Sequence, residues 1–211
     1  MDLKYKKLSF EYFSRKISKK NIIYSSVSGK KSLEHIQLNK FANYIFTQKN
    51  ECNHSLISEA VSAEMIIHFL EKHQFLKINN IFSEKEIKYN HHQSKKTDYV
   101  LSVRGNTDYN IAVQVKRIHN WKENVRRPIA WNIEKIWSLL EKANVTIRES
   151  NKNVSQDYKW NIQVLHIMTS IPDVYDYIIS YIKKRNYFSF DMLFITFVPK
   201  KSWWMIENYQ G

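Results

Sequence analysis

Cysteine, glycine and proline are scarce in this chain: of 211 residues, one is Cys, three are Gly and three are Pro. A lone Cys52 excludes a disulfide framework and points to a reducing, cytoplasmic setting. So few Gly and Pro exclude collagen-like and Pro/Gly-rich low-complexity classes. No apolar run approaches the roughly 18 residues that span a bilayer. The N-terminus has no apolar core of a secretory signal, and Asp2 and Glu11 argue against a mitochondrial presequence. Acidic residues are also few, 20 against 33 Lys and Arg, which leaves a net charge of +13 and a pI near 9.6. That balance calls for a polyanionic partner: nucleic acid, or an anionic surface.

What is present is a hydrophobic content of 43%, enough for a core, in a length that fits one domain with an appendage. Residues 1–50 read as a basic, aromatic-rich N-terminal extension, with eleven Lys and Arg against Asp2, Glu11 and Glu34. Residues 51–211 read as the main domain. Ser25–Lys31 reads as a loop, and Ser32 as the cap of a helix running to Thr47. Residues 55–73 carry helical spacing, Phe75–Phe82 reads as extended, and Glu84–Lys96 as a polar loop. Ile129–Val145 and Asp173–Lys184 read as amphipathic helices, with a polar loop over Arg148–Lys159. Ile162–Met168, Met192–Val198 and Trp203–Ile206 read as strands. The resulting order, α, β, β, β, α, β, α, β, predicts an α/β fold with a mixed central sheet flanked by helices.

The chemistry concentrates between Thr97 and Arg117. Two apolar runs, Tyr99–Val103 and Ile111–Val115, flank a turn built on Gly105, Asn106, Asp108 and Asn110, the signature of a β-hairpin. Successive side chains alternate faces, so Gln114 and Lys116 share one face while Ile111, Val113 and Val115 take the other. A turn centred near Thr107 sets Asp98 opposite Gln114 or Lys116, and directly opposed residues point the same way. An aspartate, an amide and a lysine then meet at one end of the hairpin. In the preceding helix Glu64 falls on an apolar stripe with Ile57, Val61 and His68, and a carboxylate there needs a partner. Glu59 is its competitor on the Ile66/Leu70 side. Past the hairpin, Arg117, Lys122, Arg126 and Arg127 surround Trp121, a mixture suited to phosphate contact and base stacking. His91 and His92 lack the spacing of a zinc site.

A helical Glu64, then Asp98 opening a strand, then Gln114-x-Lys116 on the next strand resembles the PD-(D/E)XK nuclease superfamily, which includes restriction endonucleases and Holliday-junction resolvases. Ala63–Phe75 is similar to the superfamily's first helix, with Gln74 in place of its usual glycine. The resemblance spans about residues 58–118 and implies a restriction endonuclease-like core and metal-dependent hydrolysis of phosphodiesters, DNA foremost. It implies Mg²⁺, or Mn²⁺, held by Glu64, Asp98, Gln114 and the Val115 carbonyl, since hard cations take oxygen ligands. Lys116 would orient the attacking water and offset charge on the phosphate. Gln114 stands where the superfamily more often has Glu, which removes a negative charge and favours one metal over two. The alternatives are a non-catalytic nucleic-acid-binding protein on the same fold and a peripheral membrane or protein-interaction module using the basic N-terminal region. A homodimer is compatible with the nuclease reading.

Overall fold

The computed structural model describes residues 9–17, 20–28, 37–48, 55–105, 107–119, 121–122, 127–128, 131–185, 187–199, 202 and 205. The predicted hairpin is present: β4 (Tyr99–Arg104) runs antiparallel to β5 (Asp108–Ile118). The strands β1 (Ser9–Ile17), β2 (Lys20–Ser28), β3 (Lys77–Ser83), β8 (Ile162–Thr169) and β9 (Met192–Phe197) join them in one sheet of order β1-β2-β9-β8-β5-β4-β3. It is mixed: β2, β9, β8 and β5 are mutually parallel, and β1, β4 and β3 run antiparallel to their neighbours. A small ribbon, β6 (Trp121–Lys122) with β7 (Arg127–Pro128), follows β5.

Parallel neighbours need crossovers, and helices supply them. α3 (Ile133–Asn153) links β5 to β8, and α4 (Val174–Lys184) links β8 to β9. Both pack on one face of the sheet, where Ile136, Leu140, Ala143, Ile147, Ile178 and Ile182 meet Ile118, Leu165, Ile167, Leu193 and Ile195. On the other face lie α1 (Lys40–Thr47) and α2 (Leu56–His73), whose Ala42, Ile45, Val61, Met65 and Phe69 meet Val113, Val115, Met168 and Phe194. The arrangement is a three-layer α/β/α sandwich. β8 lies at its centre, buried on both faces, as a strand covered by helices on both sides must be.

Three expectations change. The division at residue 50 does not match the sheet: Lys20–Ser28 pairs with β9, and α1 packs on α2, so the segment read as an extension builds the same layers. Ser25–Ser28, read as loop, is the end of β2. The polar stretch after Arg148 continues α3 to Asn153, because Ile147 and Ser150 keep the buried stripe of Ile136, Leu140 and Ala143 at helical spacing. Of the expected helix from Ser32, Lys40–Thr47 is helical and residues 32–36 lie outside the described residues. So do Trp203, Trp204 and Ile206 of the expected terminal strand.

A chain of buried polar groups crosses the core. Ser25 Oγ and Thr196 Oγ1 are 2.7 Å apart, and Thr196 Oγ1 lies 2.8 Å from His166 Nε2. His166 Nδ1 lies 2.6 Å from Ser62 Oγ, which is 2.8 Å from the Tyr99 hydroxyl. Five residues on β2, β9, β8, α2 and β4 thereby satisfy one another where no water reaches.

Candidate metal and phosphate site

The hairpin register settles the first pairing. Tyr99 faces Val113, so Asp98, one step earlier, stands opposite Gln114 rather than Lys116. The Asp98 N–H donates to the Val113 carbonyl at 3.1 Å; the residues before Asp98 are not in β4, so from Gln114 to Ile118 β5 is paired on its β8 side and open on its β4 side. The Asp98 carboxylate fills the gap. Its Oδ2 accepts from Gln114 Nε2 at 2.6 Å and from the Val115 N–H at 2.5 Å. In a strand a residue's N–H and C=O project to the same side, so the Val115 carbonyl also points toward the open edge beside Asp98.

Gln114 is 3% exposed, and its Oε1 is buried with no hydrogen-bond partner. A carbonyl in that state normally finds a donor, a water or a cation. Lys116 is half-buried two residues on, and its charge acts on Asp98. Burial pushes Asp98 up to about 6, while Lys116, the Val115 N–H and the Gln114 amide pull it down.

The helical carboxylate at this edge is Glu59, not Glu64. Glu59 is buried, and its acidity responds to the Asp98 and Arg117 charges. Burial first and the Asp98 charge second push it up to about 8, against the Ser55 hydrogen bond and Arg117. Glu64 lies five residues further on, about 7.5 Å along the axis and about 140° around it. There it accepts the Asn39 N–H at 2.7 Å, where α1 begins. α2 explains the misreading. It is buried between sheet and α1 around most of its circumference, so an apolar stripe on the wheel does not tell the sheet side from the α1 side.

The structure thus brings together Asp98, Gln114, the Val115 backbone, Lys116 and Glu59, with Arg117 beside Glu59. It does not bring Glu64 to them. Trp121, Lys122 and Arg127 belong to the ribbon just past β5; their side chains, and Arg126 altogether, lie outside the described residues. His166 escaped the sequence reading, hidden in the apolar run IQVLHIM; burial drives it down to about 3, and it is part of the core rather than the site.

The donor set fits one hard cation: a carboxylate, an unpartnered amide oxygen and a backbone carbonyl at a half-open edge. Among the described residues, no three His, Cys, Asp or Glu side chains are grouped to hold a metal, so Gln114, the backbone and water would complete any shell. No protein-family model matches the chain. No curated protein matches it either. No described helix is long and apolar enough to cross a membrane.

Proposed function

We propose that the protein is a divalent-metal-dependent nuclease with a restriction endonuclease-like core, acting on phosphodiester bonds, DNA foremost. One observation carries this reading: Asp98, Gln114 and Lys116 share the open end of one hairpin, with the Gln114 amide oxygen buried and unpartnered beside the Asp98 carboxylate. Asp98, Gln114 and the Val115 carbonyl would hold Mg²⁺ or Mn²⁺. The cation would supply Lewis-acid polarisation of the phosphate and a more acidic water. Lys116 offsets the negative charge that grows on the phosphate during displacement. Glu59, buried beside Asp98, takes the helical-carboxylate role first expected of Glu64. The positive charge of the molecule holds the polyanion by its backbone.

The test is cleavage of plasmid and linear DNA by the purified protein with Mg²⁺ or Mn²⁺, with and without EDTA. Nicking or degradation that EDTA stops, and that Asp98→Ala removes while DNA binding persists, is the expected result. An Asp98→Ala protein as active as the parent would rule the site out. The absence of a three-residue metal cluster among the described residues favours one second reading, a non-catalytic nucleic-acid-binding protein on the same fold. Salt-sensitive DNA binding without cleavage under any divalent ion would select it.

A further inference from the structure

On the α3 side of the sheet a cavity of about 470 Å³ opens beside Lys116. Its described lining is Lys116, Trp131, Lys135, Ser138, Leu139 and Lys142. The last four recur at i, i+3, i+4 and i+7, so α3 lays one continuous face along it. Trp131 adds an aromatic ring to the lining. Its indole N–H donates to the His119 carbonyl at 2.8 Å, which ties the ring to the segment leaving β5. Among the described lining residues three are lysines and none is acidic. Two acidic residues of α3 have partners elsewhere: Glu134 accepts from Asn132 Nδ2, and Glu141 pairs with Arg185 at 2.5 Å. A cleft of this volume suits a single nucleotide better than a duplex. Its walls are an indole, a leucine and lysine stems, apolar surfaces that receive a flat base, while the lysine heads meet phosphates.

We propose that this cleft seats one unpaired nucleotide of a single-stranded nucleic acid next to the phosphate at Lys116. The base lies against Trp131 and Leu139, and Lys135 and Lys142 neutralise the flanking phosphates. The inference rests on the nuclease reading for the meaning of Lys116, and it gives that site a preference for unpaired strands, such as ends, gaps or loops.

Binding is measured by fluorescence anisotropy of the full chain in EDTA, so that no cleavage enters. The probes are labelled oligo-dT and oligo-rU of about 12 nucleotides and a duplex of equal length. Single strands are expected to bind more tightly than the duplex, and the dT and rU arms show which sugar the cleft takes. Lys135→Ala/Lys142→Ala should weaken single-strand binding about tenfold and lower the salt slope by about 1.4, two phosphate contacts' worth. Trp131→Phe, which keeps an aromatic wall, should weaken it about threefold with the slope unchanged. Equal affinity for duplex and single strand, or a double variant that binds like the parent, overturns the inference. Cleavage assays with Mn²⁺ separate the two claims. Cleavage together with normal binding by the double variant removes the cleft and leaves the nuclease. Cleft-dependent binding without cleavage does the reverse.

Discussion

At the scale of single residues, Glu59 rather than Glu64 is the α2 glutamate whose acidity responds to Asp98, and the two can be told apart experimentally. Glu64→Gln removes a charged acceptor from the Asn39 N–H and should lower stability by about 1 kcal/mol, with Mn²⁺ affinity unchanged in calorimetry. Glu59→Gln should leave α2 in place and weaken or abolish cleavage. Its effect on stability has a definite sign. The folded protein keeps the Glu59 proton up to about 8, above the usual carboxylate range, so ionisation there opposes folding as pH rises. Urea unfolding of the metal-free protein should therefore show Glu59→Gln gaining on the parent at pH 9 and not at pH 4. Gln114 gives a third contrast. Gln114→Glu restores a charge beside Asp98 and should tighten Mn²⁺ binding, while Gln114→Ala weakens it and leaves the strand packed by Ile111, Val113 and Val115. Identical affinities in all three proteins would mean that Gln114 touches no metal.

At the scale of elements, α2 ends under strain. Leu76 N–H returns to the Leu70 carbonyl at 3.1 Å, one residue wider than the closing bond of a Schellman turn, and the residue in the left-handed region is Phe75, with φ of 53°. Glycine takes that position without strain; a phenylalanine held there costs roughly 1 kcal/mol, and at 90% exposure its ring recovers little. Phe75→Gly should raise the melting temperature by several degrees, and a drop would show that the ring covers something in solution. Residue spacing foretold the elements wherever the pattern was sharp. The hairpin, β8, β9, α4 and most of α2 fall where alternation or helical periodicity placed them, while parity set Asp98 opposite Gln114 or Lys116 and only the observed register selects Gln114. What stayed hidden has physical causes. β1 and β2 are interrupted by five Ser and by Glu11, Arg15, Lys16, Lys20 and Asn21, without a sustained apolar alternation, and depend on pairing to be strands. The end of α3 shows only a thin apolar stripe. Glu59 could have been preferred by asking which face of an almost wholly apolar helix can meet the strand end, a tertiary question that no local pattern answers.

At the scale of the molecule, the polar chain from Ser25 through Thr196, His166 and Ser62 to Tyr99 ties five elements together. It also makes the fold acid-sensitive. His166 stays neutral in the folded protein down to about 3, whereas in the unfolded chain it takes a proton near 6.5. Between those values the unfolded state binds the extra proton, so this contribution to stability is intact above 6.5 and declines as pH falls, by up to about 1.4 kcal/mol per pH unit. Urea titrations at pH 7.5, 6 and 5 should show that slope in the parent and a flatter one in His166→Gln, whatever the variant loses outright. The sheet has a second global property: β2 lies beside β9, far along the chain, with Asn21 level with Met192. On a ribosome the β1–β2 hairpin emerges well before β9 and then waits. At 5–20 residues per second the partner for its inner edge arrives roughly 10–30 s later. Through that interval the growing chain carries an unpaired strand edge that invites other chains. The sheet therefore depends on the segment that carries β9, and a stop codon just before Met192 should yield aggregate where the longer message yields folded protein.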